Sequence, residues 1–452
     1  MMSLERWPKV AELREKLNGK AKAEPGFRFY ILYDKLYRKD VLEAAYALCR
    51  KNDGAPGVDG ETFEQIEARG VNEFLEGLSH ELKTRTYAPK AVRRVMIPKP
   101  GKAGEFRPLG IPTIKDRVAQ QAAKLLLEPI FEADLPDNAY GYRPDKSAHD
   151  AVQDVMRGLK DGYRDVVDAD LSKYFDTIPH DQLLQSVERR IVDHKMLTLI
   201  RSWLKAPVQV EDEKTGKTRI EGGRATKAGT PQGGVISPLL ANIYFRRMLA
   251  AWERFGLGRK LKSRIVNYAD DFVILTRGKA AEALRAARKI LTGIGLTLNE
   301  KKTRICHAPA EAFSFLGFTF KTQYSMKGEA YLGMSVSDKK LAQHRERIRE
   351  MTGSDRTLLA AKSLAEQLSW TIRGFWNYFS VGTRAKAVQT MERFTYYRMQ
   401  RWMKRKHPKG GEWRERLAQV WPPLRAIFKQ AQRPQSQRAR PGDSAPTVDF
   451  AQ

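Results

Sequence analysis

Cysteine is almost absent from this 452-residue chain, where Cys49 and Cys306 stand far apart and no C-x-x-C pair occurs. That excludes a disulfide framework and a cysteine-rich zinc site, and it suits a reducing compartment. No apolar run is long enough to span a bilayer. The opening stretch, Met1 to Lys9, carries a Trp, an early Glu and a Pro but no apolar core, so it lacks the form of a secretory signal. Acidic residues are also short: 53 Asp plus Glu stand against 81 Lys plus Arg, a formal charge of +28. So large an excess, spread along the whole chain, points to a polyanionic partner whose counterions the basic side chains displace. The expectation is a cytoplasmic nucleic-acid-binding protein, with no membrane and no zinc among its partners.

Hydrophobic residues make up 42% of the chain, enough for ordinary cores, and the length exceeds what one core serves, so two or three domains are expected. Residues 1–26 are polar and charged and read as a flexible basic arm. Leu32, Leu36, Val41, Ala44, Ala45 and Leu48 recur at helical steps. They stop at the turn-rich loop Asn52 to Gly60, after which Thr62 caps a further helix. Tyr87 to Pro112 reads as strand, basic loop, strand, and Asp116 to Phe131 as a helix. Two short buried strands follow, Val166 to Asp170 and Arg264 to Tyr268, the second running through Ala269-Asp270-Asp271 into Phe272 to Leu275 as a hairpin. From Ser337 the pattern is helical, with Leu364, Leu368, Ile372, Phe375 and Phe379 as its stripe. Beyond about Arg433, Pro, Gln, Arg and Ser dominate, and the segment reads as disordered.

Three carboxylates sit where carboxylates are costly. Asp170 ends an apolar strand, and Asp270 and Asp271 occupy the tip of an apolar hairpin. Clustered like charges need a neutraliser, and no Lys or Arg flanks the hairpin tip in sequence. A divalent cation fits, and carboxylates suit Mg²⁺ or Mn²⁺, two of which can clamp both oxygens of an in-line phosphoryl displacement. An Asp-Asp pair alone serves a turn equally well.

Here the chain resembles a known family. Tyr268-Ala269-Asp270-Asp271 is similar to the Y-x-D-D hairpin of reverse transcriptases, and Asp170-Leu171-Ser172-Lys173-Tyr174-Phe175-Asp176 to their first palm motif. Between them, Gly229-Thr230-Pro231-Gln232-Gly233-Gly234-Val235-Ile236-Ser237-Pro238 resembles the group II intron form of the nucleotide motif. The resemblance extends to Asn52–Asp59, Arg107–Arg117, Tyr140–Pro144, Gly295–Thr303 and Phe315–Phe318. Gly374-Phe375-Trp376-Asn377-Tyr378-Phe379 looks like the G-W-x-x-Y-F signature of the maturase thumb, with the Trp displaced by one place. The implied family is that of group II intron-encoded reverse transcriptase/maturases.

The resemblance implies an α+β right-hand polymerase. An N-terminal extension and fingers would cover 27–165, and an antiparallel-sheet palm 166–325 with insertions around 180–228. A helical thumb would run over 336–408, ahead of a short basic tail at 409–452. It also implies roles. Asp170, Asp270 and Asp271 would hold two Mg²⁺ ions (or Mn²⁺). Phe175 would be the gate that excludes a 2′-hydroxyl. Lys99 and Arg107 would clamp the triphosphate of the incoming dNTP, Gln232 would line its site, and Lys302 would give a proton to the leaving pyrophosphate. Each has a plainer alternative: a core ring for Phe175, a solvated face for Lys99 and Arg107, turn capping for Gln232.

Residues 393–409 interleave aromatic and basic side chains, which suits stacking on bases beside phosphate contacts. Arg393, Tyr397, Arg398, Arg401, Trp402, Lys404, Arg405 and Lys406 are the RNA-binding candidates, against the alternative of a buried aromatic stripe with a solvated basic face. Implied partners are structured intron RNA, an RNA template/DNA primer duplex and dNTPs; the oligomeric state stays open. After Lys409 only 43 residues remain, without Cys or His, so no H-N-H endonuclease is expected. Two other roles stay open beside splicing with retromobility: a splicing-only RNA-binding maturase, and an intron-type enzyme adopted for defence, repair or a CRISPR locus.

Overall fold

Strand alternation places one face of each sheet inward, and the sequence obeys it. The computed structural model describes residues 4–98, 104–211, 216–325, 327–408 and 411–432. Among these the strands are β1 (Val92–Pro98), β2 (Phe106–Ile111), β3 (Asp165–Asp170), β4 (Pro207–Glu211), β5 (Thr218–Gly222) and β6 (Ser263–Tyr268). Then come β7 (Asp271–Thr276), β8 (Arg304–His307), β9 (Phe313–Phe315), β10 (Phe318–Tyr324) and β11 (Ala330–Val336). The chain divides into two compact units after Ile305, inside the stretch that the sequence suggests as palm. The class is α+β: largely antiparallel sheets, with one parallel pair between β1 and β4, and helices packed against them. No helix among the described residues is long and apolar enough to cross a membrane.

The first unit holds two four-stranded sheets. One has the order β2-β1-β4-β5, the other β6-β7-β3-β8. In the second, Val167 and Ala169 of β3, Ile265 of β6, and Phe272 and Ile274 of β7 enter a core shared with the helices Ile114–Glu132, Ser237–Arg254 and Ala280–Gly293. Their alternate neighbours, Asp168, Asp170, Asp271 and Tyr268, therefore share the opposite face. Helix Ile114–Glu132 is capped by the Thr113 side chain and is buried on most sides, the polar Asp116, Arg117 and Gln120 included, as befits a central helix.

The N-terminal arm requires a correction. Pro8–Ala23 is a helix, with Val10, Leu17 and Ala21 buried. Arg14 donates to Leu125 O at 2.8 Å and pairs with Glu128 at 2.9 Å, and Asn18 Nδ2 donates to Pro129 O at 2.7 Å. Buried Arg190 then holds the end of the arm, donating to the carbonyls of Ala21, Glu24, Pro25 and Phe27. Three small contacts and a few polar bonds secure a helix whose composition alone looks solvated.

The second unit packs the sheet β11-β10-β9 with helices Asp338–Met351, Ala361–Tyr378, Ala385–Lys406 and Glu412–Gln432. Leu364, Leu368 and Ile372 are fully buried, as their spacing requires, and Phe379 is 3% exposed. Phe375 stacks on His344 at 4.0 Å while Trp376 enters the core, so the displaced Trp is accommodated inside the bundle. The expected short tail is corrected too. Residues 412–432 form a helix that buries Leu417, Val420, Leu424, Ile427, Phe428 and Ala431. Pro422 and Pro423, ordinarily helix breakers, mask that stripe in the sequence. The segment expected to be disordered, from 433, lies outside the described residues.

Candidate active site

The acidic centre follows from strand register. Asp170 of β3 stands opposite Asp271 of β7, and Tyr268 of β6 stands opposite the same Asp271, so three strands present one row. Directly opposed side chains lie within about 5.5 Å at Cβ, and like charges there are destabilising. Asp270 fills the two-residue turn with Ala269, whose φ of +58° is unfavourable for a side chain bearing Cβ. The turn is buttressed from outside the hairpin. Asn138 and Tyr140 exchange backbone bonds with Asn267 at 2.9 and 2.8 Å. Gly141 lies so close to Ala269 that a Cβ would collide with its backbone.

Electrostatics bears the strain of this row. Asp271 is pushed up to about 7, by burial first and then by Asp270, Asp170 and Asp168. It keeps an exposed surface while protein crowds its other sides, and that water contact moderates the shift. Asp270 is raised by burial and then by Asp170. Tertiary structure also supplies a cation absent from the local sequence: Lys302 Nζ lies 2.9 Å from Asp170 Oδ2. One ammonium against three carboxylates leaves the row short of positive charge. Among the described residues no three His, Cys, Asp or Glu side chains converge closely enough to hold a metal ion by themselves. Carboxylate oxygens suit a hard divalent cation that takes water or substrate phosphates to complete its shell.

Tyr142 links this row to Phe175 and Arg107, and Asp176, next to Phe175, links it to Gln232. Phe175 is half-buried in the short helix Tyr174–Thr177, which buried Tyr174 anchors by donating to Ala241 O at 2.6 Å. Gln232 sits on a loop stapled from both sides. Gly110 N of β2 donates to Gln232 O at 2.5 Å, and Gln232 Nε2 donates to Asp176 Oδ1 at 3.2 Å. Gly233, at φ +112°, lets this loop press against the Gly110 carbonyl. Arg107 is exposed on β2, paired with Ile97. Lys99 lies outside the described residues.

Three residues here carry no role in the motif reading. Asn299 donates from its backbone to Asp170 O at 2.8 Å and from Nδ2 to Asp170 Oδ2 at 3.2 Å, fixing that carboxylate. The Asn of Gly295–Thr303 was its only sequence signal. Tyr142 meets Phe175 edge-on at 6.3 Å. Its phenol is raised by burial and then by Asp270, Tyr268 and Asp271, with Arg107 opposing, so it feels both the acidic row and the finger cation. Asp168, raised by burial, is held by Arg304 at 3.3 Å.

The basic helix of the second unit divides its candidates. Arg393, Tyr397, Arg401, Lys404 and Arg405 are exposed. Trp402 is not: at 0% exposure it is a core ring, which removes it from the stacking set. Arg398 donates to the Thr352 hydroxyl at 2.9 Å and to the carbonyls of Arg349 and Thr352, closing the C-terminus of Asp338–Met351. Lys406 donates to Thr357 O at 2.7 Å. A buried stripe and a basic face thus coexist on one helix.

Comparison with known proteins agrees with this geometry. Residues 97–320 match the family described as reverse transcriptase (RNA-dependent DNA polymerase), and residues 341–421 match the group II intron, maturase-specific domain. Protein YkfC of Escherichia coli is 34% identical over 368 residues, covering 73% of this chain and 93% of that protein. Group II intron-encoded protein LtrA of Lactococcus lactis is 36% identical over 236 residues, 52% of this chain and 36% of LtrA. The chain thus spans nearly all of the first relative but about a third of the second. The ordered palm motifs, the acidic row they build and the maturase-specific helices together establish that this chain belongs to the group II intron reverse transcriptase/maturase family.

Proposed function

We propose that this chain is an RNA-directed DNA polymerase that extends a DNA primer on an RNA template, and that its second unit grips intron RNA as a maturase. The observation that carries the polymerase is the cluster of Asp170, Asp270 and Asp271 at the hairpin end of the palm sheet, short of positive charge. These three carboxylates would hold divalent cations, Mg²⁺ foremost and two in number, whose chemistry is to activate a primer 3′-hydroxyl and neutralise the leaving pyrophosphate.

The chain's own residues supply the rest. Asn299 and Lys302 hold the Asp170 carboxylate in place, and Lys302 gives a proton to the departing pyrophosphate. Arg107, with Lys99, offsets the triphosphate charge as the nucleotide arrives. Phe175 occupies the volume that a ribose 2′-hydroxyl needs, with Tyr142 against its ring edge. Gln232 presents its side-chain oxygen Oε1 to the nucleotide. In the second unit Tyr397 offers a stacking surface, and Arg393, Arg401, Lys404 and Arg405 offer phosphate contacts.

Primer extension on poly(rA)/oligo(dT) with Mg²⁺ tests the reading. Wild type incorporates dTTP, Asp270→Ala/Asp271→Ala incorporates none, and Phe175→Ala gains ribonucleotide use. Folded wild type that binds RNA yet incorporates nothing would replace this reading with that of a splicing-only maturase.

A further inference from the structure

Phe175 and Gln232 come from segments far apart in sequence, and the backbone between them forms one ribbon. Thr230 N donates to Phe175 O at 2.7 Å, Gly229 N to Ile178 O at 2.8 Å, and His180 N to Lys227 O at 2.9 Å. Pro179 and Ala228 pair between them. Gly229, at φ +96°, seats its α-carbon against the Asp176 backbone, where an added Cβ would stand 3.1 Å from the Asp176 carbonyl oxygen.

Side chains clasp both ends of this ribbon. At the nucleotide end, Asp176 Oδ1 accepts from Gln232 Nε2 at 3.2 Å. That commits the amide nitrogen and leaves Oε1 as the free face of the side chain. At the far end His180, 3% exposed, places Nε2 2.7 Å from Gly229 O. A carbonyl only accepts, so Nε2 carries the proton. Burial holds this imidazole below its ordinary range, consistent with the neutral ring. Its Nδ1 is buried beside the Thr226 backbone, without a hydrogen bond of good geometry. Side-chain capping accounts for neither residue: His180 opens the helix His180–Glu188, whose cap is Pro179, and the single turn Tyr174–Thr177 has no side-chain cap bond.

We propose that His180 and Asp176 are positioning residues that hold the Gln232 loop in register with Phe175. Discrimination between deoxyribonucleotides and ribonucleotides then belongs to the clasped ribbon and not to the Phe175 ring alone. This rests on the polymerase reading above. A slack ribbon lets the Gln232 loop retreat from the ring and opens room at the 2′ position, while Asp170, Asp270 and Asp271 stay in place on β3 and the β6–β7 hairpin.

The test compares full-length wild type, His180→Leu, His180→Gln, Asp176→Ala, Gln232→Ala and Asp176→Ala/Gln232→Ala in steady-state dTTP and rUTP incorporation on poly(rA)/oligo(dT). His180→Leu is expected to raise KM for dTTP and relative rUTP use by roughly three- to tenfold, the range of one lost hydrogen bond, with kcat for dTTP changed less. His180→Gln, which restores an N–H donor, returns both values toward wild type. Asp176→Ala and Gln232→Ala raise KM without adding in the double variant, because each breaks the same contact. The inference is overturned if His180→Leu melts with wild type and keeps its KM and sugar preference, or if the Asp176 and Gln232 effects add in full. Should His180→Leu fail to fold, the Asp176/Gln232 cycle decides alone. Wild type without incorporation sinks the polymerase reading itself, an outcome distinct from all of these.

Discussion

At the scale of single residues, the acidic row costs stability. Asp271 has an ordinary pKa of 3.8 when unfolded and about 7 when folded. Below 3.8 both states hold the proton and folding carries no penalty. Between these values the unfolded chain ionises first, and above about 7 the penalty is complete, so stability falls as pH rises through this window. In metal-free buffer at pH 8, Asp271→Asn should therefore raise Tm by roughly a few degrees, allowing for the solvent that Asp271 reaches. The gain should vanish near pH 3.5, and primer extension should be lost at every pH. An Asn variant no more stable than wild type at pH 8 would show that solvent or Lys302 already relieves the carboxylate.

At the scale of elements, one helix shows why a sequence pattern admits two readings at once. Ala385–Lys406 buries Val388, Met391, Thr395, Met399, Trp402 and Met403 on one side. The other side carries Arg393, Tyr397, Arg401 and Arg405 at steps of four. Interleaving in the sequence becomes separation around the helix, because 3.6 residues make a turn. Trp402→Ala should cost about 3–5 kcal/mol of unfolding free energy, read by chemical denaturation, since it empties a large buried volume. Tyr397→Ala and Arg401→Ala should stay within about 0.5 kcal/mol of wild type in the same measurement. In an intron RNA filter-binding assay the order should reverse, with the surface variants binding more weakly. Equal RNA affinity for Tyr397→Ala, Arg401→Ala and wild type would move the RNA contact off this helix.

At the scale of the whole molecule, a net charge of +28 sets the character of binding. Nucleic-acid affinity should fall linearly in log–log form with salt, since each phosphate neutralised releases condensed counterions. For 6–10 phosphate contacts the loss between 50 and 200 mM salt is about 10³–10⁵. A titration over that range measures the slope, and Arg401→Ala should reduce it by roughly one. A flat salt dependence would mean that the basic surface does not meet the phosphates.

Much of this protein was determined by local sequence. The β6–β7 hairpin was legible because apolar β-formers flank a two-residue turn, and helix Ala361–Tyr378 because its stripe keeps helical steps. The order of motifs carried the family, and the acidic residues announced themselves by standing in apolar strands. Other features were decided only by the tertiary structure. The helix Pro8–Ala23 looks solvated in composition because small contacts and long-range bonds to residues 125–129 secure it. The helix Glu412–Gln432 hides its stripe behind two prolines. Lys302, Asn299 and Tyr142 reach the acidic row from segments more than twenty residues away, and His180 finds Gly229 across 49 positions. Periodicity reports which side of an element is buried, since that depends on neighbours three or four residues off. Which charge meets which carboxylate depends on how the chain returns to itself, and local spacing holds no record of that.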